Sequence, residues 1–355
     1  MDSSSKVKNK KIEGARPTAK DVARLAGVSQ STVSRVLSGD PSPFFSKATR
    51  KRVLIAATEL GYTPNPIARA LRGKQTQMIG LIVRGMSDPF FAELVSALSF
   101  QARELGYQMV LGHTHRDPSE VLQISRVLDT RHTDGVIILG DYKDDELAIR
   151  EILEGRRAVV AMCRGEAQAG VITVNTDNRA GMQALLDHLT GLGHTRLAFI
   201  EGDWMGDFKE RRKAFIDYLQ GKGLELKPDW IPQDTDDSRG GYQAMRRLMA
   251  LNDRPTAILA ADDIMAIGAL KAAQEAGLRI PEHFSLTGFD GIEMTQFVSP
   301  ALTTVRQPIE VMSQIALERL LDLIEGRQVN EVVSIQVQPE LIVRQSTGPV
   351  SQDRQ

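Results

Sequence analysis

Only one cysteine, Cys163, occurs among 355 residues. A lone thiol excludes an intramolecular disulfide framework and fits a reducing compartment. Also missing is any uncharged apolar stretch of about 20 residues, the length a membrane-spanning helix needs. The N-terminus, MDSSSKVKNKKIEGARP, lacks the apolar run of a secretory signal. A cytoplasmic protein with no membrane partner is expected. Catalytic signatures are absent too. Gly240-Gly241 lacks the spacing of a phosphate loop and is followed by no lysine-serine pair, so it reads as a helix start. There is no convincing nucleophile elbow. His113 and His115 flank Thr114 at a strand end, but no third metal ligand accompanies them. No cofactor, metal or enzymatic turnover is expected.

What is present is unevenly distributed. The formal net charge is −1, yet residues 1–75 hold 15 Lys+Arg against 5 Asp+Glu, a balance of +10, while residues 76–355 hold 29 against 40, a balance of −11. The basic end suits a phosphate backbone. The length exceeds the roughly 100–200 residues of one domain, so a small head and a large body are expected. The polar, lysine-rich segment 1–17 reads as a disordered tail.

TAKDVARLAGVSQSTVSRVL, residues 18–37, carries the most information. Thr18 can cap a helix whose third position, Asp21, places an acid near the helix N-terminus. Val22 and Leu25 fall on one apolar face. Ala26-Gly27-Val28 supplies a tight turn, and Ser29 can cap a second helix ending near Leu37. At 3.6 residues per turn Val33, Val36 and Leu37 pack inward, leaving Ser31, Ser34 and Arg35 outward and Gln30 at the exposed tip. This is a helix-turn-helix, whose second helix reads DNA. Arginine forks to guanine, glutamine bridges the two adenine groups, and serine hydroxyls suit bases or phosphates. The competing interpretation is a helical pair capping a larger core. A third helix is predicted from Ser46, with Val53, Leu54, Ala57 and Leu60 at packing spacing and Arg50, Lys51 and Arg52 available to phosphates. Residues 18–63 form this head. Then PNPIARALRGK offers Asn65 as a cap, Pro66 at the first helical position and Gly73 as a stop, a short helix that orders only when held. Leu71 among Arg69, Arg72 and Lys74 suits a minor-groove wedge; a plain linker is the alternative. The DNA-contact candidates are Thr18, Ser29, Gln30, Ser31, Thr32, Ser34 and Arg35 in the head, with Asn65, Ala68 and Leu71 in hinge 64–75.

From Met78 onward short β-rich runs alternate with amphipathic segments, which argues for parallel sheets covered by helices. MIGLIV, YQMVLG, GVIIL and AVVAM build one sheet; RLAFI, AILAA and FSLTGF build a second. Two sheets make two lobes. Ligands bind beyond the carboxyl ends of such strands. That rule selects Asp88, Phe90 and Phe91, then Cys163 and Arg164, Asp203 and Trp204, Asp262 and Asp263, and Asp290. With Arg211 these carboxylates and aromatic faces suit a polyhydroxylated ring, a sugar or nucleoside. Asp263 is expected to cap the helix beginning at Ile264.

DVARLAGVSQSTVSRVL, ELGYTPNPIARALR, MIGLIV and SDPFFAEL, followed by DGVIILG, LGHTRLAFI, RPTAILAADDIMAIGAL, SLTGFD and PALTTVRQP, resemble the lac repressor family of bacterial transcription regulators. The resemblance runs from Thr18 to about Arg344. It implies that Gln30, Ser31 and Arg35 read bases and that Leu71 pries open a central base step. It implies an α/β body of the type I periplasmic-binding-protein fold over residues 76–345. Lobe one would be about 76–174 and 306–333, and lobe two about 175–305 and 334–345, before a flexible tail, 346–355. The effector residues implied are Asp88, Phe90, Cys163, Arg211, Asp262 and Asp290, with Asp262 standing where many members have asparagine and Cys163 where many have aspartate. SGDPSPFFSKATR, carrying Phe44 and Phe45, is about two residues longer than the usual loop.

The expected function is therefore a sequence-specific regulator, a repressor, whose operator affinity a small molecule controls. The alternatives are a transport-type binding protein of the same two-lobed build, and an enzyme with an appended head. The partners expected are near-palindromic double-stranded operator DNA, a carbohydrate or nucleoside effector, and a second copy in a homodimer. RQSTGPVSQDRQ has no apolar heptad that would join dimers into tetramers. Effector binding is expected to bias lobe closure and the spacing of two hinge helices, with equal and reciprocal coupling between the two sites.

Overall fold

A computed structural model describes residues 17–37, 45–62, 75–114, 118–128, 132–140, 158–164, 171–202, 206–235, 237–327 and 334–350. The chain divides into two compact units, the first ending at Thr76 and the second beginning at Gln77.

The first unit contains α1 (Ala19–Ala26), α2 (Gln30–Leu37) and α3 (Lys47–Leu60). Asp21 accepts hydrogen bonds from the Thr18 amide at 2.9 Å and the Thr18 hydroxyl at 2.6 Å, fastening the start of α1. Gly27 ends α1 at φ +63°, a left-handed conformation that glycine adopts without steric cost. The Ser29 hydroxyl accepts from the Thr32 amide at 3.1 Å, and that of Ser46 from the Thr49 amide at 3.1 Å. Val22, Val33, Val36, Val53 and Ala57 form the core, with Phe45 of the long loop packed against it. Leu25 and Leu54, expected inside, are 49% and 50% exposed. The buried stripe of α1 runs through Val22, Ala23 and Ala26, and that of α3 through Val53, Ala56 and Ala57. Each leucine lies about 100° around its helix from the centre of its stripe.

The second unit holds two sheets. Strands β1 (Met78–Val83), β2 (Gln108–His113), β3 (Gly135–Leu139), β4 (Val159–Met162) and β5 (Ile172–Thr176) join β10 (Ser334–Val337) in the order β10-β5-β4-β3-β1-β2, parallel throughout. Strands β6 (Leu197–Ile200), β7 (Ala257–Ala260), β8 (Ser285–Asp290) and β9 (Thr303–Arg306) run parallel in the second sheet. There β11 (Glu340–Ile342) adds an antiparallel edge beside β9. Helices α4 (Pro89–Glu104), α5 (Pro118–Val127) and α10 (Ile309–Ile324) cover the first sheet. Helices α6 (Asn178–Gly191), α7 (Gly206–Lys222), α8 (Ser238–Ala250) and α9 (Asp263–Glu275) belong with the second. Each sheet is buried on both faces, so its central strands are near-continuous apolar runs. The α/β two-lobed body with parallel sheets is as expected. Among the described residues no helix is long and apolar enough to cross a membrane.

Two boundaries differ from expectation. Residues 334–337, assigned to lobe two, form β10 and pair with β5 in lobe one. The chain thus returns to lobe two between Val337 and Glu340, its third crossing after those that follow β5 and β9. The flexible tail expected from residue 346 is instead packed as far as Val350. Ser346 is fully buried, donating to the Leu286 carbonyl at 2.6 Å and accepting from the Thr303 amide at 2.8 Å. The Gly348 carbonyl meets His194 Nε2 at 2.9 Å, and the Val350 amide donates to Leu192 at 3.1 Å. These polar groups complete lobe two's buried hydrogen bonding, which holds the segment down.

Candidate functional site

Helix α2 buries Val33 and Val36 and leaves Gln30, Ser31 and Arg35 exposed, with Thr32 and Ser34 half-buried. At its N-terminus the Ser29 hydroxyl lies 2.7 Å from that of Ser31 and 2.8 Å from that of Thr32. These three linked hydroxyls gather at the start of the helix, where the Ser29 hydroxyl also accepts from the Thr32 amide at 3.1 Å. Thr18 is exposed at the start of α1; Lys51 and Arg52 are exposed on α3, and Arg50 is half-buried. Asn65, Ala68 and Leu71 lie outside the described residues, as do Phe44, His115, Asp203 and Trp204.

In the body, the carboxyl ends of β1, β4, β8 and β9 and the N-terminal turns of α4, α7 and α9 converge on a cavity of about 160 Å³. Its lining brings together Asp88, Phe90, Phe91, Cys163, Arg211, Asp262 and Asp290, which the strand-end rule or the arginine reading had singled out. Arg164 is buried behind Cys163, its amide donating to Asn175 Oδ1 at 2.9 Å, and is not part of the lining. Arg84, Asp207, Phe208, Asp237 and Gln307 also line the cavity and went unrecognised in the sequence. Gln307 directly follows β9, a strand quoted within PALTTVRQP but not read as one. Asp207 stands one helical turn before Arg211, the spacing of a helical ion pair, and that signal was legible.

Asp88 caps α4, accepting from the Phe90 amide at 2.9 Å, and the Phe90 and Phe91 rings that follow meet edge to face with centroids 5.4 Å apart. Cys163 holds φ +56° and Asp290 φ +113°. Two non-glycine residues at positive φ in one cavity show surrounding structure dictating the local backbone. Asp262, not Asp263, caps α9: its backbone is extended and its Oδ1 accepts from the Met265 amide at 2.6 Å. Asp263 lies within the first turn and faces inward. Its Oδ1 accepts from the Thr304 hydroxyl at 2.6 Å and its Oδ2 from the Ile292 amide at 2.9 Å, tying α9 to the loop after β8.

Arg211 is the centre of the site and only 2% exposed. Nε donates to Asn178 Oδ1 at 2.9 Å, Nη1 to the Ala261 carbonyl at 2.7 Å, and Nη2 pairs with Asp290 Oδ1 at 3.1 Å and Asp207 at 4.0 Å. The guanidinium carbon stands 3.8 Å over the Phe289 ring. Gln307 Nε2 donates to Asp290 Oδ1 at 2.6 Å, while Gln307 Oε1 accepts from Thr176 of β5, so the network reaches both lobes. Burial pushes the Asp290 carboxyl well above the ordinary range, against the pull of Arg211 and with the push of Asp88, Asp262 and Asp263. Burial and then Asp88 push Asp262 well up, and burial raises Asp263 to about 7. Burial likewise drives the Cys163 thiol far from its reactive thiolate form.

A solvent-facing recognition helix on a small basic head, and a buried polar cavity between two lobes, define a DNA-binding regulator that responds to a small ligand. The model of the bacterial regulatory proteins of the lacI family matches residues 18–65, and that of the periplasmic binding protein-like domain matches residues 186–347. The HTH-type transcriptional repressor PurR of Mannheimia succiniciproducens is 32% identical over 338 residues, spanning 94% of this chain and 99% of its own. That of Erwinia tasmaniensis is 34% identical over 336 residues, 93% and 97% of the two chains. The crystal structure of the lac repressor dimer bound to operator and the anti-inducer ONPF superposes with a TM-score of 0.81 at 26% identity, over 94% of this chain and 100% of that one. The transcriptional regulator CelR in complex with cellobiose gives 0.68 at 32% identity, over 93% and 100%. The chain belongs to the lacI family of bacterial regulatory proteins, which are transcriptional repressors rather than enzymes. It is a DNA-binding repressor controlled by a small-molecule effector.

Proposed function

We propose that this repressor works in the cytoplasm as a homodimer on a near-palindromic operator, and that its effector is a sugar, sugar derivative or nucleoside held in the cavity around Arg211. Gln30, Ser31 and Arg35 read base edges. Thr18, Ser29, Thr32 and Ser34 hold phosphates, and Asn65, Ala68 and Leu71 form the hinge that enters the minor groove. The head spans residues 18–63, the hinge 64–75, and the body begins at residue 76. The observation that carries the effector assignment is the Arg211–Asp290 pair, buried at the carboxyl ends of the strands and walled by Phe90, Phe91 and Phe208. Charged acceptors beside aromatic faces are how proteins orient hydroxylated rings. A cavity of about 160 Å³ suits a one-ring ligand, since clefts for drug-sized molecules run to roughly 300–1,000 Å³. The sugar bound by CelR supports the same class.

Thr176 and Gln307 connect the effector cavity to both lobes, so ligand binding alters the lobe angle. In a dimer that angle sets the spacing of the two hinges. Any ligand that weakens operator binding must itself bind more weakly to the DNA complex, by the same factor; a corepressor shows the opposite sign. The test is a thermal-shift screen of sugars, sugar acids, sugar phosphates, nucleosides and purines, each hit being retested for its effect on operator binding. A hit that shifts both supports the reading; stabilisation without any change in DNA affinity refutes the linkage.

A further inference from the structure

The effector cavity is short of cations. Among the described residues five carboxylates line it, Asp88, Asp207, Asp237, Asp262 and Asp290, against two guanidinium groups, Arg84 and Arg211. Arg211 commits an N–H of each nitrogen to Asn178, Ala261 or Asp290, and the Asp290 carboxylate 3.1 Å away offsets its charge. Two of the carboxylates are incomplete. Asp262 spends Oδ1 on the Met265 amide, and Asp290 spends Oδ1 on both Arg211 and Gln307. Among the described residues the second oxygen of each has no hydrogen-bond partner, although both side chains are more than nine-tenths buried. These two oxygens belong to the cavity lining and are open to accept from a donor that a ligand brings. Phe90, Phe91 and Phe208 add ring faces that attract a cation.

Resting on the proposed effector cavity, we infer that its ligand carries a positive charge: an amine-bearing, sugar-sized polyol whose ammonium group is received by Asp262 and Asp290. Neutral sugars satisfy the hydrogen bonds but not the charge, and sugar phosphates and sugar acids are repelled. Burial first, and then neighbouring carboxylates such as Asp88, push the Asp262 and Asp290 carboxyls up. An ammonium beside them reverses that push, so binding releases protons. Affinity then rises with pH until the amine itself deprotonates. Asp88, Asp207 and Asp237 of the lining, Cys163, kept as a thiol, and Asp263, held behind the wall by Thr304 and Ile292, are the other ionisable acids at the cavity.

The experiment is calorimetric titration of the full chain with glucosamine and galactosamine, set against glucose, galactose and glucose 6-phosphate, in two buffers of different ionisation enthalpy. Each amine is expected to bind about tenfold tighter than its neutral counterpart, with proton release. Asp262→Asn keeps a helix-capping side chain but removes the charge, so the folded protein should lose most of that preference while still binding the neutral sugar. Equal or tighter binding of the neutral sugar, binding of the phosphate, or no binding of either amine overturns the inference. If a sugar binds with the same affinity to the Asp262→Asn and Asp290→Ala variants as to the native chain, the cavity assignment itself has failed.

Discussion

Replacing Asp290 by alanine removes one side of an ion pair 3.1 Å long whose side chains are 2% and 6% exposed. Two donors, Arg211 Nη2 and Gln307 Nε2, lose their acceptor. Breaking a buried pair from one side costs about 3–5 kcal/mol because a charge is left behind. Two features reduce that figure here. Arg211 keeps the Ala261 carbonyl, Asn178 and the more distant Asp207. Asp88, Asp262 and Asp263 are relieved of a like-charged neighbour. A loss of about 2–3 kcal/mol is therefore expected for Asp290→Ala. Arg211→Met, which keeps an unbranched stem over Phe289, supplies the second arm of a double-mutant cycle. The four proteins should show a coupling of about 2 kcal/mol in urea unfolding near neutral pH, followed by tryptophan fluorescence, since Trp230 is buried in the same lobe. A coupling under about 0.5 kcal/mol would refute the view that the pair is energetically one unit. The same Asp290→Ala protein should still bind operator and no longer respond to effector; a normal response means the ligand does not contact this pair.

Two other perturbations probe separate parts of the molecule. Arg35→Ala should cost about 1–3 kcal/mol at one base pair and relax preference there; an equal loss on every DNA sequence removes its base-reading role. For Asp263, an unfolded aspartate titrates near 3.9, whereas the folded one titrates at about 7. The native state therefore holds a proton that the unfolded chain has given up, and stability falls as pH rises through that interval. Between about pH 5 and about pH 8 the native protein should lose roughly 2–3 kcal/mol that Asp263→Asn does not lose. Parallel stability profiles for the two proteins would show that Asp263 ionises normally.

Legibility followed how local each signal was. The head was readable because caps, turn and apolar stripe all lie within a few residues of one another. Its two misplaced leucines differ from buried neighbours only by a fraction of a turn, which periodicity alone resolves poorly. In the body the apolar strands stood out, whereas ITVNT of β5 and TTVR of β9 are short and half polar. They become strands because the sheets supply their partners. Strand β10 could not be assigned to a lobe from sequence, since its partner β5 is distant in the chain. The strand-end rule brought Asp88, Cys163, Asp262 and Asp290 to one cavity, yet the adjacent pair Asp262-Asp263 was read with the cap on the wrong residue. Which of two consecutive aspartates caps the helix depends on Thr304 and Ile292 holding the other, contacts no local pattern encodes.

The third crossing between the lobes has a consequence for synthesis. Strand β5 ends at Thr176 and its outer partner β10 begins at Ser334, with all the helices of lobe two between them. About 160 residues, at the roughly 5–20 residues per second of translation, separate the two by some 8–30 s. During that time the growing chain carries a first sheet with an unpaired edge at β5. The second sheet likewise waits for β11 to cover β9. Lobe one is completed only at β10 and lobe two only a few residues later at β11, so a chain cut off just after α10 is incomplete in both.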